Sequence, residues 1–193
     1  MNKRLIFLSL HFFISCKNYK DNKQLHTVSY NEFKAFVQQT NYITDAEKYG
    51  WSFVQLDVYN FIEVSNATWV KPNGKDTIIN GYLPVTQVSY NDALAYCSWK
   101  GVQLPTYQEY WKFVKKDTRR IVYNNSSPIS SVKEVNVLGN VWDITKPINS
   151  EEIRLAGGSL FCSPNTCHGI SQKRELYIDK ETANIHIGFS VLY

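Results

Sequence analysis

The chain has 193 residues, of which 44% are hydrophobic and 15% are aromatic. This length and composition suit one folded domain with a substantial core and exclude a disordered segment. The formal charge of +4 falls to +2 if Lys3 and Arg4 are removed with a signal peptide. Such a small charge excludes a basic surface for nucleic acid.

The N-terminus has the pattern of an export signal. A basic start and an apolar run lead to Ser15-Cys16, which resembles a bacterial lipobox, and the run is too short to span a membrane. We expect a signal peptide over 1–15, a tether over 16–25 lipidated at Cys16, and one domain over 26–193. The expected location is the bacterial cell envelope, where a monomer is held by its lipid alone. The alternative is an ordinary signal peptide with an incidental cysteine.

Four N-cap signals predict four helices. Each is a serine or threonine followed three residues later by an acidic residue, and the predicted caps are Ser29, Thr44, Ser89 and Thr106. The first helix should cover about 30–39, the second should stop near Gly50, and the third should end at Gly101. The apolar faces of the last two should be Ala93, Leu94, Tyr96, Cys97 and Trp99, and then Tyr110, Trp111, Phe113 and Val114.

Two stretches have the character of strands. Aromatic and β-branched residues predict an extended segment over 51–58, and residues 185–189 alternate like a strand. Between the two, turn signals predict that 59–83 is loop.

Two thiols, Cys162 and Cys167, lie five positions apart after Gly157-Gly158, and Pro164 stiffens the loop between them. For an exported chain, the spacing alone favours a disulfide. A site for a thiophilic ion such as Cu(I) and a redox pair are the alternatives.

A series of short segments, in order along the chain, carries a resemblance to a known family. The segments are Val28-Ser29-Tyr30-Asn31-Glu32-Phe33, Pro84-Val85, Ser89-Tyr90-Asn91-Asp92-Ala93, Ala95-Tyr96-Cys97-Ser98-Trp99, Leu104-Pro105-Thr106, Gly139-Asn140-Val141-Trp142-Asp143, Gly157-Gly158-Ser159 and Ile187-Gly188-Phe189. Over about residues 26–190 the chain resembles the formylglycine-generating enzyme, or sulfatase-modifying factor, family. The resemblance implies an α+β, C-type-lectin-like fold with little regular secondary structure, in which helices flank small, mostly antiparallel sheets.

The resemblance also implies an activity. Family members with paired cysteines bind Cu(I) and use O₂ to oxidise a cysteine in a Cys-x-Pro-x-Arg segment of a sulfatase to formylglycine. Cys162 and Cys167 match that pair, and Ser159 matches a serine of the active site. Trp142 matches a pocket tryptophan and His186 a substrate-groove position. The alternatives are a core role for Trp142, a structural role for His186, and a loop position for Ser159 in which its hydroxyl hydrogen-bonds its own backbone.

The sequence also offers ligands for two other metal ions. The resemblance implies a calcium site in which the Asn136 side chain, the Gly139 and Val141 carbonyls and the Asp143 carboxylate are ligands, and a self-contained turn is the alternative. A zinc site from Cys162, Cys167, His168 and His186 is possible on ligand count, although its spacing is unlike common zinc modules.

Several departures from the family pattern favour a second reading. The connection 116–136 is short, the family's opening strand is expected to be missing, and Glu175 replaces an arginine. Val191 stands where the partner of Cys97 would be, so Cys97 is expected to be a buried free thiol. The alternative to an oxidase is a non-catalytic surface lipoprotein of the same fold that binds a partner protein or glycan.

Overall fold

A computed structural model describes residues 23–56, 60–78, 80–114, 138–147, 152–159 and 171–193. The helices of this part of the chain are α1 (Tyr30–Thr40), α2 (Asp45–Tyr49), α3 (Tyr90–Lys100) and α4 (Tyr107–Phe113). All four predicted caps are confirmed, and each forms both hydrogen bonds of a capping box. Gly50 and Gly101 end α2 and α3 in the left-handed conformation, as predicted. None of the helices in these ranges is long and apolar enough to cross a membrane.

The described strands form two sheets. They are β1 (Leu25–Thr27), β2 (Trp51–Gln55), β3 (Phe61–Ser65), β4 (Trp142–Ile144), β5 (Ile153–Ala156), β6 (Tyr177–Ile178) and β7 (Ile187–Leu192). The larger sheet has the order β1-β7-β4-β5-β6, in which only the pair β4 and β7 is parallel, and β2 and β3 form a separate antiparallel hairpin. The expected fold class of helices around small, mostly antiparallel sheets is confirmed.

The expectation that the opening strand is missing is wrong. β1 pairs with β7 from Leu25 opposite Leu192 to Thr27 opposite Ser190, and the Gln24 amide donates to the Tyr193 carbonyl. Two residues assigned to the tether, 24 and 25, therefore belong to the folded domain. With only three residues, β1 has too little length for an alternating pattern, and its partner is at the other end of the chain.

Three further expectations about elements are corrected. Within the predicted loop 59–83, residues 61–65 form β3, which pairs with β2 although its aromatic and aliphatic side chains are largely exposed. The last strand starts at Ile187 rather than 185, and all of its residues are buried because it is a central strand of a sheet that has core on both faces. Leu94 is exposed, since Asp92 rather than Leu94 turns inward on α3.

The core lies on both faces of the larger sheet. On one face, α1 and α3 pack rings against β7, including Phe33, Tyr96 and Phe189. On the other face, α4 places Tyr110 against β5. Of the predicted inward residues of α4, Tyr110 and Val114 are buried, whereas Trp111 and Phe113 are half-buried. Successive residues of β4 point to opposite faces, so the Trp142 and Asp143 side chains lie on opposite sides of the sheet.

Candidate functional site

The predicted site residues divide into those that the structure describes and those that it does not. Cys16, Asn136, Cys162, Cys167 and His168 lie outside the described residues. The remaining candidates are on β4, on the turn before it, on the segment after β5, and just before β7; they are Gly139, Val141, Trp142, Asp143, Ser159 and His186.

Backbone hydrogen bonds bring these segments together. The Trp142 amide donates to the His186 carbonyl at 2.7 Å, and the Gly139 amide donates to the Gly157 carbonyl at 3.2 Å. The turn before β4, the glycine pair after β5 and the start of β7 are therefore neighbours, although 47 residues separate Gly139 from His186 in the sequence.

The segment that leads to the two cysteines needs glycine. Gly157 has φ +86°, and a Cβ on it would lie 2.4 Å from the Tyr110 hydroxyl oxygen. Gly158 also has a positive φ, of 85°. Ser159 follows and is buried, with 1% of its surface exposed. A residue other than glycine at position 157 would be strained at this φ, and its Cβ would clash with the Tyr110 side chain of α4. The backbone path of this segment therefore requires glycine at position 157.

The segment that follows the cysteines is held by residues that sequence reasoning missed. The Tyr107 hydroxyl donates to the Gln172 carbonyl at 2.8 Å, and Arg154 Nη2 donates to the Arg174 carbonyl at 2.7 Å. The Arg154 guanidinium lies 3.6 Å from the centroid of the Tyr107 ring, and the Arg174 guanidinium lies 4.8 Å from that of Trp142. No local sequence signal marks Tyr107 or Arg154, because their partners lie on distant segments.

Trp142 belongs to the main core. Its ring is 7% exposed and packs within the cluster that includes Ile144 and Phe189. The Arg174 guanidinium lies over the face of this ring, and the burial of Trp142 agrees with the core alternative. A contact between Trp142 and substrate stays a prediction.

His186 is a buried, neutral imidazole. It is 6% exposed, and burial lowers its pKa to about 4, although a hydrogen bond with the Gln55 backbone partly offsets this effect. It lines a cavity of about 80 Å³ together with Asn140 and Val141. His186 can therefore orient a neighbour by hydrogen bonding but carries no charge near neutral pH. Its predicted contact with substrate remains untested.

Asp143 is a fully buried carboxyl group with two hydroxyl donors. The Ser190 hydroxyl donates to Oδ1 at 2.6 Å and the Tyr110 hydroxyl donates to Oδ2 at 3.0 Å. Thr27 Oγ1 lies 3.1 Å from Ser190 Oγ, which extends the network to β1. Burial raises the pKa of Asp143 to about 7, against the lowering effect of the two hydrogen bonds. Burial and the nearby Asp143 raise the pKa of Tyr110 well above its usual value.

The predicted calcium ligands are only partly described. Gly139 lies in a turn with φ +78°, and Val141 is buried just before β4. In the described ranges, no group of three His, Cys, Asp or Glu side chains could hold a metal ion. A cation at Asp143 would have to share its oxygens with the Tyr110 and Ser190 hydroxyls, so calcium stays a prediction.

Cys97 is the buried free thiol that the sequence predicts. It is unpaired and 5% exposed on the inner face of α3, and burial raises its pKa to about 12. A thiol with so high a pKa is rarely ionised near neutral pH, so Cys97 is a poor nucleophile and a poor metal ligand.

Comparison with known proteins gives a consistent assignment. The model of the sulfatase-modifying factor enzyme 1-like domain matches residues 24–149. The chain is 34% identical over 148 residues to the formylglycine-generating enzyme of Thermomonospora curvata, covering 64% of this chain and 46% of that protein. It is 29% identical over 170 residues to the inactive C-alpha-formylglycine-generating enzyme 2 of Bos taurus, covering 61% and 56%. The chain thus spans about half the length of these curated relatives.

A solved structure supports the fold independently of sequence. PvdO from Pseudomonas aeruginosa superposes with a TM-score of 0.56 at 13% identity, over 86% of this chain and 77% of PvdO. At this identity the likeness concerns the fold alone. Because the family model matches well over half of the chain, from β1 to beyond β4, the chain belongs to the sulfatase-modifying factor, or formylglycine-generating enzyme, family.

Proposed function

We propose that the protein is a copper- and O₂-dependent oxidase that converts the cysteine of a Cys-x-Pro-x-Arg segment in a sulfatase to formylglycine. The observation behind the proposal is that side-chain contacts fix the backbone before and after the segment that contains Cys162 and Cys167. Gly157 packs against Tyr110 before them, and Tyr107 and Arg154 hold the backbone after them. Contacts of this kind fix the backbone at the two ends of the segment that carries the pair.

The donor set suits the proposed metal. Two thiolates are soft ligands of the kind that Cu(I) prefers, and Cys162 and Cys167 would hold it. When bound, the metal would supply a redox route to O₂ and lower the pKa of an incoming thiol.

Residues of the chain would position the substrate. Ser159 would donate a hydrogen bond to the substrate backbone, and Trp142 would contact the substrate beside the Arg174 guanidinium, which lies 4.8 Å from its ring centroid. His186 would act as a neutral hydrogen-bonding group at the groove, since its pKa of about 4 keeps it unprotonated at neutral pH. Holding the reacting groups in place in this manner reduces the entropic barrier of the reaction.

The decisive experiment is peptide oxidation. Wild-type protein with Cu(I), O₂, a reductant and a Cys-x-Pro-x-Arg peptide should yield an aldehyde product by mass spectrometry. Cys162→Ser and Cys167→Ser should lose at least about 100-fold in rate if the pair holds the metal. Cys97→Ala is the matched control and should retain activity, because this thiol is buried on α3. Absence of product from wild type, or equal product from Cys162→Ser, would reject the oxidase.

A second candidate is a non-catalytic module that binds a partner protein or glycan. Its specific support is the similarity to a relative whose name describes it as inactive, together with the burial of His186. Thiol titration separates the two candidates. A Cys162 to Cys167 disulfide that takes up no Cu(I) under mildly oxidising conditions favours the module, whereas thiols protected by the metal favour the oxidase.

Calcium is proposed as a structural ion, with ligands from Asn136, Gly139, Val141 and Asp143. A cation beside a buried carboxylate would offset its desolvation and lower its pKa. Addition of Ca²⁺ at pH 7 should therefore raise the midpoint of thermal unfolding of wild type and leave that of Asp143→Asn unchanged. An equal response of both proteins, or no response of wild type, would remove calcium from the proposal.

We also propose that the protein lies in the bacterial cell envelope and is held there by a lipid on Cys16. Expression in a bacterium with labelled fatty acid should label the wild-type protein and not Cys16→Ser. Label on both proteins, or on neither, would contradict lipidation at Cys16.

A further inference from the structure

A second concave site lies away from the cysteines, where the end of α2, strand β2 and residues 179–183 meet. Its volume is about 190 Å³, and its walls include Tyr49, Trp51, Phe53, Asp179 and Glu181. None of these residues takes part in the function proposed above.

One wall is aromatic because of local chain geometry. Gly50, with φ +76°, turns the chain sharply from α2 into β2, so Tyr49 and Trp51 flank one bend. Trp51 and Phe53 are two apart on β2 and share a face, with ring centroids 5.3 Å apart and planes at 88°. Tyr49 and Trp51 remain 51% and 36% exposed, so both rings are accessible to a ligand.

The opposite wall is acidic. Asp179 Oδ1 accepts hydrogen bonds from the amides of Glu181 at 2.9 Å and Thr182 at 2.7 Å, which fixes the turn. Glu181 Oε2 accepts from the Tyr49 hydroxyl at 2.6 Å. Each carboxylate thus has one oxygen engaged by these bonds and a second one, Oδ2 or Oε1, for a ligand.

The described part of the chain supplies no ion-pair partner to either carboxylate. The neighbouring Lys48 ammonium pairs with Asp45, with Nζ 2.8 Å from Oδ1, and interacts with Glu181 only through a longer-range Coulomb attraction. Two negative charges therefore lie at this cavity in a chain whose formal charge is +4. A ligand of positive charge is the complementary one.

The walls are fixed to each other before any ligand arrives. The Ser52 hydroxyl donates to the Ala183 carbonyl at 2.9 Å, and the Ile185 amide donates to the Phe53 carbonyl at 3.2 Å. Together with the bond from Tyr49 to Glu181, these contacts join β2 and α2 to the acidic turn. A pre-organised site loses little conformational freedom on binding.

We propose that this cavity, whose walls are the neighbouring Trp51 and Tyr49 rings and the carboxylates of Asp179 and Glu181, is a binding site for an organic cation, an alkylammonium or guanidinium group. Aromatic faces attract such cations through their quadrupole, and the carboxylates supply charge-assisted hydrogen bonds or direct Coulomb attraction. The cation can belong to a free small molecule or to a lysine or arginine side chain of another polypeptide.

Titration calorimetry on the full protein at fixed ionic strength tests the site. Choline and 3,3-dimethyl-1-butanol form a matched pair, since they have the same shape and differ in charge. Blocked Gly-Arg-Gly and Gly-citrulline-Gly tripeptides form a second pair for the side-chain source. In at least one pair the cation should bind saturably and about tenfold or more tighter than its neutral partner, and the pair that responds identifies the source.

Variants make the test specific to the cavity. Asp179→Asn with Glu181→Gln preserves shape and hydrogen-bond acceptors and should weaken binding of the cation about tenfold or more. Trp51→Leu should weaken it as well, whereas Glu63→Gln, an exposed acid on β3 outside the cavity, should bind like wild type. Equal binding by the neutral partner, unchanged affinity in the double variant, or failure of both cations to bind would overturn the proposal. Peptide oxidation by the double variant should equal that of wild type, so this test and that of the oxidase can fail separately.

Discussion

Asp143 places a carboxyl group in the interior, where two hydroxyl groups take the place of water. Its pKa in the folded protein is about 7, whereas an unfolded chain has the ordinary value of about 4. Below about pH 4 the group is protonated in both states and its ionisation contributes nothing to stability. As the pH rises from about 4 to about 7, the unfolded chain releases the proton first, so the folded state loses stability until both states are ionised.

Replacement of Asp143 by asparagine removes this dependence on pH. In buffer without Ca²⁺, the difference in free energy of unfolding between wild type and Asp143→Asn should fall by roughly 4 kcal/mol between pH 4 and pH 8, to the disadvantage of wild type. Urea unfolding at pH 4, 5.5, 7 and 8 measures this difference, and Glu63→Gln on the exposed hairpin should follow the wild-type profile. A constant difference across this range would show that Asp143 ionises as it does in the unfolded chain.

Residues differ in how well the sequence alone predicts their hydrogen-bond partners. Ser89 could be recognised as a cap because its partner Asp92 is three positions away. The Tyr110 and Ser190 partners of Asp143 are 33 and 47 positions away, so spacing gave no signal. The calcium interpretation of Asp143 came from the family pattern, and the hydroxyl partners became visible only in the folded structure.

At the scale of elements, β7 is the strand on which the sheet depends. It pairs with β1 on one side and β4 on the other, and each of its six residues is buried. At Gly188 the backbone passes so close to the segment before α3 that a Cβ would lie 2.4 Å from the Val85 carbonyl oxygen. Since backbone cannot move aside as a side chain can, the close approach requires glycine.

Two glycine variants distinguish crowding from backbone strain. Gly188→Ala should lower the free energy of unfolding by about 3 kcal/mol or more, because two backbones must separate. Gly50→Ala, at φ +76° with open space around the Cβ, should cost about 1 kcal/mol from the left-handed conformation alone. Thermal unfolding measures both, and a smaller loss for Gly188→Ala than for Gly50→Ala would contradict this account of the sheet.

The helices could be predicted from sequence and the strands largely could not. A capping box and a terminal glycine are local signals, which is why α1 to α4 begin where predicted. β1 has only three residues, and the identity of both β1 and β3 as strands depends on their partners rather than on their own pattern. Phe61 and Ile62 of β3 are also exposed, so burial does not mark that strand either.

At the scale of the molecule, the fold joins the first and last described strands. Removal of residues 187–193 would take away the partner of both β1 and β4. We expect this truncated protein to lose its cooperative unfolding transition, whereas removal of Tyr193 alone should leave the transition in place because this side chain is 53% exposed. Circular dichroism during urea unfolding checks the outcome, and a cooperative transition in the longer truncation would refute the central role of β7.

The position of β7 also governs when the protein can fold during synthesis. A ribosome makes β1 at the start of the domain, and its pairing partner emerges more than 150 residues later. Contacts of such long sequence separation form slowly, and until then the nascent chain has unpaired sheet edges on which chaperones can act. A polypeptide that crosses a membrane through a narrow secretion channel has to remain unfolded until it crosses, and slow pairing of β1 with β7 would favour the export proposed above.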